Sequence, residues 1–373
     1  MREIWFWQRI ISPHMAGLAA ALARQGVKVV YVSEQVMSED RALQGWEAPD
    51  LPGVRTEVAS TVAGISELVA AAPSDSIHIC QGLRANSLIG VVQRRLATRS
   101  LRQWAILETL DDSGWRGAVR RLEYRRLFAK WRTLLAGVLA IGYRTPGWIA
   151  ERGVPPGQVF EFAYFLPPWS VRIRHVPRAA VPFRFVFVGQ LVERKRLDLL
   201  LSALAELRRT DVELMVVGLG PLQDSLRVAA ERLLPGRVHW VGRLPMHDVP
   251  QVMADSDCLV LPSRHDGWGA VVSEALMVGT PAICSDRCGS AWVVKVSGHG
   301  EVFRSGNVME LRDALGRAVQ RGRLGITQRT SLVNWAKCLG ADAGATYLRA
   351  ILDHADGRGD RPRAPWDHHA IGA

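Results

Sequence analysis

The chain has 373 residues, 48% hydrophobic and 22% charged, which suits two ordinary globular domains and excludes a fibrous or disordered protein. No apolar run approaches the ~20 residues that span a bilayer, and Met1-Arg2-Glu3-Ile4-Trp5 is too short and mixed for a signal peptide. The net charge of +11 asks for an acidic partner, and its sign alone fits nucleic acid, anionic lipid or a phosphorylated substrate. Thirteen tryptophans suit membrane interfaces and sugar stacking as well as cores. The five cysteines lack C-x-x-C spacing and read as reduced core residues of a cytoplasmic protein.

In chain order, Ile4 to Trp7 is a predicted strand, Ser12-Pro13-His14 a turn, 15–24 a helix and 27–32 a second strand. This βαβ start implies a parallel sheet whose first loop lies at the carboxyl edge. Predicted strands follow at 54–58, 77–80 and 104–107, the last ending in Glu108-Thr109-Leu110-Asp111-Asp112. Glu108 can orient a hydroxyl or serve as a general base, whereas Asp111, Asp112 and Ser113 read as a helix N-cap. The helix from Trp115 to Arg132 places apolar residues at 115, 118, 119, 122, 127 and 128 roughly on one side and Arg/Lys on the remainder. It reads either as an interfacial helix meeting lipid phosphates or as one packed on its own sheet with a solvated basic face. No nucleic-acid reader motif accompanies the charge. Strands at 138–141 and 160–165 close the first half, and 169–182 reads as a linker.

The second half restarts at 183–188, followed by Gly189-Gln190-Leu191-Val192-Glu193-Arg194-Lys195-Arg196 and a helix over 197–207. The strand 213–217 ends in the tight turn Gly218-Leu219-Gly220-Pro221. A further strand leads to Arg243 and Leu244, and a helix spans 249–254. Cys258 to Leu261 is a buried strand stopped by Pro262-Ser263; the loop 264–269 opens a helix over 270–278, and Gly279-Thr280-Pro281 leads into a short strand. Free N–H groups at such a glycine-bearing helix start favour phosphate. A helix is predicted at 310–321, another over 332–352, and a disordered tail from 354. His368 and His369 in that tail, beside Asp367, are read as incidental, and no metal site is expected.

The pattern Pro262-Ser263, Gly267-Trp268-Gly269, Glu274-Ala275, Gly279 and Pro281 resembles the nucleotide-sugar motif of retaining GT-B glycosyltransferases of family 4. Asp266 stands where that family usually has Glu. The resemblance implies an α/β GT-B fold: two Rossmann-like domains facing a central cleft, at 1–168 and 183–331, with a helix over 332–353 crossing back to the first. It implies a UDP- or GDP-sugar donor, a glycan or polyprenyl-linked acceptor, and no cofactor or metal. Glu274 would accept from ribose hydroxyls; Lys195 and the N–H groups near Gly269, Ala270 and Val271 would meet the diphosphate. Gly189, Gly218, Gly220, Arg243, Leu244, Gly267 and Trp268 would line the donor. Gln190 replaces an expected Arg, for which Arg194 or Arg196 is the substitute. Asp266 would hold the sugar, with His14 and Glu108 on the acceptor side. The resemblance tilts the basic helix toward an anionic membrane surface, at the inner face of the plasma membrane, in exopolysaccharide or lipopolysaccharide assembly. The other reading is a nucleotide-sugar-binding assembly partner without transferase activity, favoured by the replacements at Gln190, Asp266 and Glu108.

Overall fold

Strands that read as near-continuous apolar runs are buried on both faces, as parallel sheets covered by helices require. A computed structural model describes residues 2–43, 45–83, 87–112, 114–172 and 182–369. These divide into two units. The first comprises β1 (Ile4–Gln8), α1 (Pro13–Arg24), β2 (Val29–Ser33), α2 (Glu39–Ala42), β3 (Arg55–Val58), α3 (Val62–Ala71), β4 (Ile77–Gln81), α4 (Ile89–Thr98), β5 (Arg102–Glu108), α5 (Gly114–Trp131), β6 (Leu135–Ile141), α6 (Thr145–Ala150) and β7 (Val159–Phe162). Its seven parallel strands run in the order β3-β2-β1-β4-β5-β6-β7. At one edge, β3 carries Arg55 and Glu57, charges that blunt unwanted pairing.

The second unit contains β8 (Phe183–Val188), α7 (Leu197–Glu206), β9 (Val212–Val217), α8 (Gln223–Leu233), β10 (Val238–Gly242), α9 (Val249–Ala254), β11 (Cys258–Leu261), α10 (Ala270–Met277), β12 (Ala282–Ser285), α11 (Ala291–Val296), β13 (Gly300–Phe303), α12 (Val308–Arg321) and α13 (Ile326–Ala336). Its six parallel strands run β10-β9-β8-β11-β12-β13. Phe185, Phe187, Leu214, Val216 and Val260 form its core with the apolar face of α7. Buried Arg329 donates to the carbonyls of Ala254 and Ser256, both at 2.6 Å, and fixes the approach to β11.

The returning helix α14 (Ala341–Ala355) belongs to the first unit. It is preceded by a 3-10 turn, Lys337–Leu339, so the single helix expected over 332–353 is in fact α13, that turn and α14. Gly17 of α1 leaves room for the chain around Pro167 and Ala341, and Arg24 pairs with Asp342 at 2.6 Å. The expected disordered tail is corrected through residue 369: Pro365–His369 is a 3-10 turn, and Trp366 is 3% exposed. Most of the expected linker, residues 173–181, lies outside the described residues.

Two further expectations are revised. The buried side of α5 is Tyr124, Phe128 and Trp131, while Trp115, Val119 and Leu122 are exposed, Trp115 by 75%. Both triplets have i, i+4, i+7 spacing, and an offset of nine residues turns them to opposite faces of the helix. The three aromatics bury more area and win the sheet. The tryptophan excess is likewise mainly structural, since Trp5, Trp7, Trp104, Trp131, Trp148, Trp268, Trp335 and Trp366 are all buried. All five cysteines are free and buried. Among the described residues, no helix is long and apolar enough to cross a membrane.

Candidate functional site

In the second sheet, strand order grows from β8 toward β9 and β10 on one side and from β11 toward β12 and β13 on the other. Loops leaving the carboxyl ends of β8 and β11 therefore diverge, and such a switch point opens a crevice for a ligand. Here the two loops are tied together. The Arg264 N–H donates to the Arg194 carbonyl at 2.8 Å, and Arg194 Nη1 donates to the His265 carbonyl at 2.8 Å.

Between them lies a partly buried ion pair. Lys195 Nζ donates to Asp266 Oδ2 at 2.5 Å, with both side chains mostly covered. Ser263 Oγ donates to the same oxygen at 3.2 Å, and Arg194 Nη1 stands 3.5 Å away. Burial pushes the Asp266 carboxyl up, but Lys195, Arg194 and Ser263 together outweigh it and hold the group below its ordinary range. Of the two substitutes for the replaced Arg, Arg194 faces this cluster. Arg196 occupies a left-handed conformation (φ 53°) and pairs with Asp198. Gln190 is half-buried on the same loop.

Glu274 differs in kind from Asp266. It sits in the second turn of α10, is 7% exposed, and no described residue pairs with or donates to its carboxylate. Burial alone raises it from 4.5 to about 7. A largely buried carboxylate with no partner among the described residues is costly in a folded chain, so a further hydrogen-bond donor is expected to satisfy it. The helix start is shaped by Gly269, at φ 81°, where an added Cβ would lie 2.8 Å from Leu261 Cδ2. Ala270 and Val271 present the first helical N–H groups beside it. Trp268, expected to line the donor, is instead turned inward: its Nε1 donates to Ser273 Oγ at 3.0 Å, and it is 2% exposed. Only its backbone, with that of buried Gly267, remains for a ligand.

The glycines of the neighbouring loop have a packing reason. A Cβ on Gly218 would lie 2.0 Å from the Gly189 carbonyl oxygen, and one on Gly220 would lie 2.4 Å from that of Leu191. Two backbones touch there, so glycine at 218 and 220 serves loop contact before any phosphate. Arg243 is exposed and donates to the Leu43 carbonyl at 3.2 Å; Leu244 is half-buried beside it.

In the first unit, His14 is the second residue of α1 and stacks on Tyr164 with ring centroids 5.0 Å apart. Glu108 ends β5, two positions from β1 in the sheet, so both residues lie at the same carboxyl edge. The expected cap role of Asp112 is corrected. Its carboxylate accepts from Trp148 Nε1 and Arg152 Nη2, each at 2.8 Å, tying α6 to the loop before α5. Ser113 lies outside the described residues, as do the side chains of His368 and His369. Among the described residues, no group of three or more His, Cys, Asp or Glu is placed to hold a metal ion.

The family match to known proteins falls on the second unit. Residues 174–331 match the family Glycosyl transferases group 1. The D-rhamnosyltransferase WbpZ of Pseudomonas aeruginosa is 35% identical over 121 residues, 32% of this chain and 31% of that one. The glycogen synthase of Halorhodospira halophila is 37% identical over 136 residues, 36% of this chain and 28% of that one. The chain thus spans about a third of the length of these curated relatives. In fold the likeness is fuller. The lipopolysaccharide outer core galactosyltransferase WaaB superposes with a TM-score of 0.67 at 17% identity, over 94% of this chain and 99% of that one. Anabaena Alr3699/HepE, solved in complex with UDP-glucose, gives 0.69 at 16% identity over 95% and 100%. The fold is GT-B.

Ser263 as a second donor to Asp266 and Arg194 as the facing cation are seen only in three dimensions. Ser263 belongs to the motif, but its partner could not be read from spacing. Trp366 was missed altogether, because no local pattern joins it to the loop it covers.

Proposed function

We propose that the protein is a retaining, metal-independent glycosyltransferase of family 4 that moves a hexose-type sugar from a UDP- or GDP-sugar to a glycan or polyprenyl-linked acceptor. The observation that carries this reading is Glu274, a buried carboxylate without a partner in a helix that follows a glycine loop at a switch point. Ribose hydroxyls are the donors it lacks. The diphosphate then falls toward the N–H groups of Gly269, Ala270 and Val271 and toward Lys195 and Arg194, whose charge stabilises the leaving group. Binding an anion there gives Lys195 a second partner and frees Asp266 to accept from the sugar. His14 and Glu108 orient the acceptor. A donor phosphate oxygen takes the acceptor proton on the face from which the nucleotide leaves, so no protein nucleophile is used. The group 1 match and the fold both support a nucleotide-sugar user.

A nucleotide-sugar-binding partner without turnover is the second reading, favoured by the Lys195–Asp266 pair and by Gln190. The test is incubation of EDTA-treated protein with a panel of UDP- and GDP-sugars. Slow release of nucleoside diphosphate from one of them is expected, and its identity names base and sugar. Binding of a donor with no release, even with extracted lipid acceptors, would support the second reading instead.

The acceptor pathway in this proposal is polysaccharide or lipopolysaccharide assembly at a membrane, with the protein peripheral on its cytoplasmic face. The exposed stripe Trp115, Val119 and Leu122 shares its side of the helix with Arg125 and Arg126, the pairing of rings and cations that an anionic interface attracts. Each cation near such a surface contributes ~1 kcal/mol. Replacing Arg125 and Arg126 by glutamine should therefore lower partitioning onto vesicles with anionic lipid roughly tenfold or more. Partitioning that ignores both the substitutions and salt would reject this role for α5.

A further inference from the structure

We infer that the chain's last described segment, Pro365–His369, is a strap over the loop 266–269, with Trp366 as a positioning residue for that loop. The inference rests on the donor reading above for its consequence, though not for its geometry. Residues 357–363, Gly-Arg-Gly-Asp-Arg-Pro-Arg, contain no residue that could anchor a core. Trp366 nevertheless is 3% exposed, and its ring lies 6.0 Å from that of Trp268 with the planes at 41°. That is ordinary aromatic packing distance. Trp366 also groups with the second unit, whereas the chain up to Pro365 groups with the first.

The strap has a second hold. Trp292 Nε1, on α11, donates to Asp367 Oδ1 at 3.4 Å. The turn leading into α11 is bound to the same loop. Asp266 N–H donates to the Arg287 carbonyl at 3.0 Å, Gly289 N–H to the Asp266 carbonyl at 3.0 Å, and Ser290 N–H to the Trp268 carbonyl at 2.8 Å. A Cβ on Gly289 would lie 1.8 Å from the Gly267 oxygen, so these backbones are in direct contact.

The loop that carries Asp266 is therefore held by the turn 287–290 and covered at Trp268 by the tail. Trp268 in turn holds Ser273, which immediately precedes Glu274. Removing the Trp366 ring uncovers Trp268, an apolar side chain that must then repack, and the displacement passes to both Asp266 and the first turns of α10. Loop amides that are protected by such packing open with its loss.

The test uses the full chain with Trp366→Ala, Trp366→Phe and Asp367→Ala. Backbone hydrogen exchange is followed over 264–274, and UDP and GDP are titrated calorimetrically. Trp366→Ala should speed exchange in that segment about tenfold and weaken nucleotide binding by a similar factor. Exchange in β4 of the first unit should stay unchanged. Trp366→Phe should restore most of both effects, and Asp367→Ala should give a smaller change of the same sign, so a decision remains available if Trp366→Ala does not fold. Unaltered exchange over 264–274 would overturn the strap; altered exchange with unaltered nucleotide affinity would overturn the positioning role. A wild-type chain that binds neither nucleotide rejects the donor reading, and the exchange measurement still decides the strap.

Discussion

Lys195→Ala is expected to lower kcat about 100-fold if the proposed donor site is right, because the leaving diphosphate would lose a cation at the moment its charge develops. The same change leaves Asp266 buried without its main partner, which in a folded chain costs ~3–5 kcal/mol. Burial would then push the Asp266 carboxyl up, since the largest interaction opposing it is gone and Arg194 and Ser263 alone remain. The two effects are separated by Lys195→Met combined with Asp266→Asn. That pair removes both charges and should recover most of the stability while leaving kcat low. A double variant with wild-type turnover would show that Lys195 is a structural counter-ion only. An effect confined to the acceptor KM would also refute the leaving-group role.

Glu274→Gln is expected to make the ligand-free protein more stable and its nucleotide binding at least about tenfold weaker. In the folded chain Glu274 titrates near 7, against 4.5 when exposed, because burial disfavours its charge. Its contribution to stability is therefore full below pH 4.5 and is lost as the pH rises through 7. Above that, the ionised carboxylate weakens the fold by ~3 kcal/mol. Glutamine carries no such charge, so urea denaturation should show a gain for the variant at pH 8 that shrinks toward pH 4.5. A residue kept at a cost to the empty fold is what a binding role predicts. Glutamine still offers a carbonyl to one ribose hydroxyl but loses the charge-assisted bond, a difference of ~1.5–3 kcal/mol.

The strand, loop and helix of the proposed donor site were legible because their residues are contiguous. Pro262, Ser263, Gly267, Gly269, Glu274, Gly279 and Pro281 lie within one strand, loop, helix and turn, where spacing and local propensity determine position. Lys195 could be read for the same reason, in the loop directly after β8. What pairs with what was hidden. Spacing could not choose between Arg194 and Arg196, since the choice depends on the left-handed backbone at 196 and on Asp198. Nor could it rank the two apolar stripes of α5, which share one periodicity and differ only in which faces the sheet. Asp112 looked like a helix cap until Arg152 and Trp148, about forty residues away, claimed its carboxylate. The tail was read as disordered from composition, but Arg361 over the Phe160 ring and Trp366 beside Trp268 hold it through contacts that lie roughly a hundred or more residues back in sequence. Local chemistry names the loop; distant side chains decide how it is held.

Calorimetric titration of UDP and GDP into the wild type and Glu274→Gln at pH 8 measures most directly where the nucleotide lies. One nucleotide should bind the wild type, and the more stable variant should bind it at least about tenfold more weakly. Equal affinity in the two proteins would contradict the placement of the donor against α10.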